Sequence, residues 1–501
     1  MNRLRPEPDQ PIPADLTAAE AMLRPALDPC GDICFRSLVI EGDRPLRALL
    51  IYSQSMVKAI QIDEQALASL MLQLNQGIPA PGRPSTAGDL ATLARQRNIP
   101  LANPQPALTV QQGINEILRG STALLVDGCH GALLFRVPRE VTRGVSEPLT
   151  EGVVRGPREG FTEDLETNLT LVRRRLAVRA FRLERQRLGE RTQTEIALLF
   201  LDGLADPQVV EEVRRRLSAI QISEVLDSAY VEEMIEDAPF SPFPTVAHTE
   251  RPDKVAAALL EGQVALITSG SPQVLLMPIT LTQLLQSAED YYERYYIGSA
   301  IRVLRLIAGF FALTLPSFYV AVTTYHHEMI PSPLFHALAA QREGVPWPAV
   351  LEAFLMEIAF ELLREAGIRL PRPVGQAISI IGGLVIGEAA IRARIASAGM
   401  VIIVATTGIC SYVIPAYNLS LALRFIRFPM MLLGASLGLH GVVVGLLLLL
   451  IHLLNLTSFG TSYLRPALPA VAADWKDTIL RAPWWHMRRR NRRSSISGGG
   501  R

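Results

Sequence analysis

Apolar and charged positions are segregated along this chain. Residues 1–305 mix them at short range, whereas from Leu306 to Leu464 the sequence turns oily. Leu306–Tyr325 is uncharged for 20 residues, about one bilayer crossing. Pro373–Ile391, interrupted only by Glu388, reads as a second span and Ile395–Leu423 as a third. Gly441–Ile451, inside the uncharged stretch Phe428–Leu464, reads as a fourth. Gly434, Gly438, Gly441 and Gly445 give the small-residue spacing that lets helices pack closely. Pro348–Gly367 is apolar yet carries Glu352, Glu357, Glu361 and Glu365. On a helix, Glu357, Glu361, Arg364 and Glu365 share one face, and a lipid-facing position would be expensive for them. This segment is therefore expected to be interfacial or re-entrant, or to line a watery path.

The first 305 residues carry strand and helix patterns that occur twice. Arg119–Gly128 followed by Ala132–Phe135 resembles Glu261–Gly270 followed by Val274–Met277, with Gly120 matching Gly262 and Gly128 matching Gly270. Each reads as strand, glycine turn, strand, after a helix (Val110–Arg119 and Pro252–Glu261). Upstream of each lie a further apolar strand (Arg47–Tyr52, Glu195–Leu201) and a helix (Asp63–Leu74, Pro207–Ala219). The expected fold is an α/β N-terminal region of two related αββ-containing subdomains with mixed sheets, followed by an all-α polytopic membrane domain. The expected boundaries are a disordered proline-rich start (1–32), a first subdomain (33–155), a capped linker helix (156–190) and a second subdomain (191–295). A transmembrane domain (296–465) and a basic tail (466–501) follow.

In the linker, Thr162 can cap a helix whose stripe is Leu165, Leu169, Val172 and Leu176. With Glu163 and Asp164 at one end and Arg173, Arg174 and Arg175 at the other, it is either an ordinary surface helix or an oligomer contact. The net charge of +1 gives no bias toward nucleic acid. The four cysteines form no framework, and Cys30 and Cys34 lack a second ligand pair for zinc. No phosphate loop or nucleophile elbow occurs, so no catalytic residue, metal or cofactor is expected and an enzyme reading has nothing to stand on. His326-His327-Glu328 reads as a polar exit loop. The start of the chain has no apolar h-region, and Arg488-Arg489-Arg490 with Arg492-Arg493 mark a cytosolic tail. With both ends on one side, four spans plus a re-entrant or interfacial helix satisfy the even count. That arrangement puts Arg424 and Arg427 on the outer side.

Rings of glutamate in an oligomer favour cations over anions. Glu357 and Glu361 are the first candidates for an ion path, then Glu388, with Glu352 beside them. The plain alternatives are pairing of Glu357 and Glu361 with Arg364 or solvent, and of Glu388 with Arg392.

Five further stretches carry a resemblance together with Gly156–Leu176 (GPREGFTEDLETNLTLVRRRL). They are Pro316–Pro331, Leu363–Pro371, Val374–Ile380, Arg427–Leu433 and Ser458–Gly460, and the likeness runs in order from Ile33 to Arg490. The chain resembles the GerA-type spore germination receptor A-subunit family. The resemblance implies an integral inner-membrane protein of dormant endospores, working with a transporter-like B subunit that binds the nutrient and a lipoprotein C subunit. It further implies a homo-oligomer, a pentamer, forming a gated channel that releases monovalent cations to start germination. The family also holds paralogues that amplify germination without sensing nutrients; Thr323–Pro331 looks closer to the receptor branch. A non-conducting scaffold or transducer is the alternative class.

Overall fold

The computed structural model describes residues 9–40, 46–57, 86–96, 102–136, 147, 148, 150–370, 383, 385–466 and 477–487. The expected helix Asp63–Leu74, much of the expected second span and the arginines of 488–493 lie outside these residues. Two compact units divide the chain: Met1–Val153 with Pro157–Ile235 and His248–Met277, and Val154–Gly156 with Glu236–Ala247 and Pro278–Arg501.

In the first unit, α1 (Leu16–Leu27) precedes β1 (Ile33–Ile40) and β2 (Leu46–Ser53). Then come α2 (Ala87–Gln96), β3 (Ala102–Ala107), α3 (Val110–Leu118), β4 (Ser121–Val126) and β5 (Ala132–Arg136). The order in the sheet is β1-β2-β4-β5-β3. Alternation along the strands sends Ala48, Leu50, Tyr52, Leu124 and Val126 to one core, and Leu49, Ile51, Ala123 and Leu125 to the other. The second core is closed by α3 and by Ala19, Leu23 and Leu27 of α1. Residues 16–27, expected to be disordered, are thus helical. Their apolar stripe is started by Asp15, whose carboxylate accepts from the Thr17 amide at 3.2 Å.

The second half of the unit repeats the plan. After α4 (Leu165–Arg175) come β6 (Phe181–Leu188), β7 (Thr194–Leu201), α5 (Pro207–Ala219) and α6 (Ser228–Ile235). They are followed by β8 (Ala247–Thr249), α7 (Pro252–Leu260), β9 (Val264–Thr268) and β10 (Val274–Met277). The sheet order, β6-β7-β9-β10-β8, is the first sheet's order strand for strand. The matched glycines share one backbone state: φ is +92° at Gly120 and +91° at Gly262, +88° at Gly128 and +87° at Gly270. A β-carbon at Gly262 would lie 2.6 Å from the Leu204 carbonyl oxygen, so both conformation and space require glycine there. Mixed sheets were the expectation; the pairings β1–β2, β2–β4, β4–β5, β3–β5, β6–β7, β7–β9 and β9–β10 are all antiparallel. The second sheet begins at Phe181, inside the expected linker.

The helix α4 is capped by Asp164, whose Oδ2 accepts from the Thr167 amide at 2.8 Å, rather than by Thr162. Thr162 instead holds Asn168, accepting its side-chain amide at the backbone carbonyl. The stripe Leu165, Leu169, Val172 and Leu176 is buried.

The second unit is helical: α8 (Tyr295–Thr324), α9 (Ser332–Arg342), α10 (Ala349–Arg369), α11 (Ala398–Tyr412), α12 (Tyr417–Leu437) and α13 (Leu439–Asn455). Among the described residues, α8 and α12 are long and apolar enough to cross a membrane; α11 and α13 are apolar but shorter. The expected third span breaks at residues 413–416, where Pro415 denies the backbone a donor. The next helix runs through Arg424 and Arg427, the two arginines expected on the outer side.

Candidate functional site: charge pairs between apolar helices

The acids of α10 meet arginines of α12. Arg427 donates from Nη1 to Glu357 Oε2 at 2.6 Å, and both side chains are buried. One turn along, Arg424 Nη1 donates to Glu361 Oε2 at 2.9 Å. The acids are four residues apart and the arginines three, so each helix contributes one charged side chain per turn. Numbering rises along α10 as it falls along α12, so the two run antiparallel through this ladder. The arginines tolerate an apolar helix because each finds an acid; unpaired, either charge would be expelled from such a place.

Arg427 has a second task. Pro316 lies inside α8 and has no N–H, which leaves the Ala312 carbonyl four residues earlier without its helical donor. Arg427 Nε donates to that carbonyl at 2.8 Å. One guanidinium therefore ties α8, α10 and α12 together.

Glu352 sits apart from the ladder. Its Oε1 accepts from the amide and the hydroxyl of Ser397, both at 2.6 Å, and Arg342 Nε is 3.7 Å from its other oxygen. Ser397 is also the cap of α11, accepting from the Met400 amide. Glu352 thus positions the start of α11. Glu388 pairs with Arg392 one turn away at 2.5 Å, on exposed side chains. Glu365 pairs likewise with Arg369. Arg364, expected as the partner of the ladder acids, makes no ion pair among the described residues; its guanidinium lies 4.8 Å from the ring centre of Tyr412 and 5.8 Å from that of Tyr417. Three arginines, Arg364, Arg424 and Arg427, thus stand against two glutamates, Glu357 and Glu361. The acids are neutralised in this arrangement and do not form a free negative surface.

The four glycines do not form a stripe on one helix. Gly434 lies on α12, where a β-carbon would be 2.7 Å from the Ser317 carbonyl oxygen of α8. Gly438 is the turn between α12 and α13, at φ +63°. Gly441 and Gly445 lie on α13, where added carbons would meet the Leu433 carbonyl at 2.0 Å and Met430 Sδ at 2.4 Å. Close approach is what each position serves, across two interfaces and a corner.

Of the residues expected at an oligomer contact, Arg173 must be withdrawn. It is fully buried, its Nε 3.3 Å from Asp32 Oδ2, with Ser53 and Ser55 donating to the same carboxylate at 2.8 and 3.0 Å. The face of Phe181 covers it. Glu163, Asp164 and Arg174 are exposed, while Arg175 pairs with Glu159 at 2.6 Å.

Sequence reasoning overlooked Arg424 and Arg427 as partners of the acids. Their three-residue spacing inside an otherwise apolar stretch was the available signal. It also overlooked Asp290, which is buried and accepts from Arg302 Nε at 3.1 Å and Arg305 Nη1 at 2.7 Å at the start of α8.

Residues 21–493 match the family described as Bacillus/Clostridium GerA spore germination protein. The chain is 41% identical over 490 residues to an uncharacterized membrane protein, YfkQ, of Bacillus subtilis strain 168, covering 98% of this chain and 93% of that one. It is 44% identical to spore germination protein KA of the same organism, over 78% of this chain and 72% of that one. Among solved structures, the N-terminal domain of the A subunit of the Bacillus megaterium spore germinant receptor GerK3 aligns with 54% of this chain and 98% of its own. Its sequence identity is 28% and its TM-score 0.41.

Proposed function

The chain belongs to the GerA family of spore germination proteins, and from that premise we propose that it is the A subunit of a nutrient germinant receptor. In this reading the helical unit is set in the inner membrane of the spore, with the α/β unit and the basic tail on the core side. Copies assemble as a pentamer, alongside a transporter-like B subunit and a lipoprotein C subunit, into a gated channel for monovalent cations.

The observation that carries the channel reading is the two-rung ladder of Glu357–Arg427, fully buried, and Glu361–Arg424, whose acid is partly exposed, on and beside two span-length helices. Charges are kept inside an apolar bundle at a large desolvation cost, and a path for ions is a reason to keep them. In the closed arrangement each acid is cancelled by its arginine. Parting α10 from α12 would release both carboxylates, and five copies would set a ring of them around an axis, favouring cations. Glu388, exposed and only locally paired, would add negative charge nearer a mouth.

Purified protein in potassium-loaded vesicles tests this. Glu361→Gln and Glu357→Gln are expected to lower cation-over-anion selectivity while assembly persists. Unchanged selectivity in the single neutralisations at 357, 361 and 388, in assembled protein, would sink the acid path. A second reading, a non-conducting scaffold, is favoured by the pairing itself: a ladder in which each acid is paired with an arginine also serves as a clamp. Rings that form yet never pass ions would establish that alternative.

A further inference from the structure

Arg364 is the surplus cation beside the ladder. Five acids stand between residues 349 and 455, and each has another arginine beside it: Arg342 for Glu352, Arg427 for Glu357, Arg424 for Glu361, Arg369 for Glu365 and Arg392 for Glu388. What surrounds Arg364 instead is aromatic. Tyr412 ends α11 and Tyr417 begins α12, and both rings lie against its guanidinium. Arg424 lies 6.0 Å from the ring centre of the same Tyr417. Two guanidiniums thus share one ring, with one carboxylate, that of Glu361, to balance them. Arg364 Nε and Nη1 and Arg424 Nη2 are buried donors that make no hydrogen bond among the described residues. Tyr412 and Tyr417 are 60% and 46% exposed, so the cluster lies at the outside of the helical unit.

Neighbouring contacts give the depth of this cluster. Arg427 meets Ala312 and Gly434 meets Ser317, so α12 runs parallel to α8. Tyr417 comes ten residues before Arg427, about 15 Å along the helix. That is the level at which the uncharged stretch of α8 has ended and Arg302 and Arg305 hold Asp290. Tyrosine rings, apolar with one polar edge, suit the headgroup level of a bilayer. Phosphate is the anion of that level, and its chemistry answers each feature of the cluster. It carries the missing negative charge, accepts from the arginine fork through two oxygens and accepts from tyrosine hydroxyls.

We infer that Arg364, with Arg424, Tyr412 and Tyr417, forms a binding site for a single phosphate group, carried by a phospholipid headgroup or free in solution. This rests on the membrane reading of α8 and α12 and not on conduction.

The test uses the full chain purified in a non-ionic detergent. It is titrated with radiolabelled phosphatidylglycerol in one arm and radiolabelled inorganic phosphate in the other, and the label bound per chain is read after gel filtration. Wild type is expected to hold a single labelled phosphate. Arg364→Gln should weaken that binding about tenfold, the worth of one charge-assisted hydrogen bond. Arg364→Lys, which keeps the charge and loses the fork, should fall between the two and carries the comparison if the thermal transition of Arg364→Gln shows it unfolded. Arg369→Gln, at an exposed position on the same helix, should bind as wild type does. Lipid label that unlabelled inorganic phosphate fails to displace supports a headgroup as the source; Arg364-dependent retention of inorganic phosphate supports the free anion. Retention of neither probe by wild type, binding indifferent to both Arg364 substitutions, or an equal loss in Arg369→Gln overturns the inference. A chain stripped from vesicles by alkaline carbonate would instead defeat the membrane reading itself, and with it the headgroup as source.

Discussion

Arg427→Met should be among the most damaging single changes in the helical unit. The substitution keeps the side chain's length and apolar stem but removes both of its hydrogen bonds. Glu357, with its side chain fully buried, would be left without its counter-charge, a loss of about 3–5 kcal/mol. The Ala312 carbonyl, whose helical donor is absent because residue 316 is proline, would lose its partner as well, adding about 1 kcal/mol. For a unit of this size each kcal/mol lowers the melting temperature by roughly 2–4 °C, so a drop on the order of 10 °C is expected. The assay is thermal unfolding of purified full-length protein in one detergent, for wild type, Arg427→Met, Glu357→Gln and the double variant. Removing both charges eliminates the stranded ion, so the double variant should be more stable than Arg427→Met alone. Single changes that cost less than about 1 kcal/mol, or a double variant as poor as the sum of the two, would refute the ladder as a buried, mutually dependent pair.

The α/β unit has its own buried pair, and Arg173→Met should destabilise it by about 3–5 kcal/mol in denaturant titration, by stranding Asp32. Gly434→Val should force α12 off α8 and cost about 1–3 kcal/mol or more, read as a lower melting temperature, because backbone, not a mobile side chain, stands 2.7 Å from the new carbon. Burial lowers the His248 pKa from its ordinary 6.5, against the pull of Glu151 and with the push of Lys254. The unfolded chain then binds the proton first, so stability contributed by neutral His248 is complete above pH 6.5 and falls as the pH drops from 6.5 toward the folded value. His248→Gln should flatten that part of the stability–pH curve. Glu151 adds a second acid limb: burial pushes it up, but Lys254 at 2.8 Å and the Thr249 hydroxyl outweigh this and leave its pKa below 4.5. Its contribution is therefore lost as the pH falls through the folded value, and Lys254→Met should move that loss to higher pH.

The repeat was legible because its matched glycines are conformational requirements that survive in the sequence: each pair stands at the same positive φ in the same turn. Helix α5 was legible from Pro207 at its first turn and a clean apolar stripe. The flanking strands were not. β6 (FRLERQRL) carries four charges in eight residues, so its alternation reads as polar, and β3 (ANPQPA) holds two prolines that read as a turn but suit a strand at the sheet edge. The helical character of the second unit was legible, but the place of its arginines was not, for a different reason. A charge inside an apolar run is expected outside the membrane unless its partner is known. The partners of Arg424 and Arg427 lie 63 and 70 residues away on another helix, beyond any local pattern. The acids stand out in the sequence as exceptions to the oily half, but what cancels them could be seen only in three dimensions.

The proposed cation path is lined by acids that are masked at rest. Reversal potential across a planar bilayer holding the purified, assembled protein under a potassium chloride gradient tests it most directly. A potential displaced toward the potassium equilibrium value, and moved back toward zero by Glu361→Gln, is expected. Assembled protein that passes no current, or current whose reversal potential is indifferent to Glu357, Glu361 and Glu388, would contradict it.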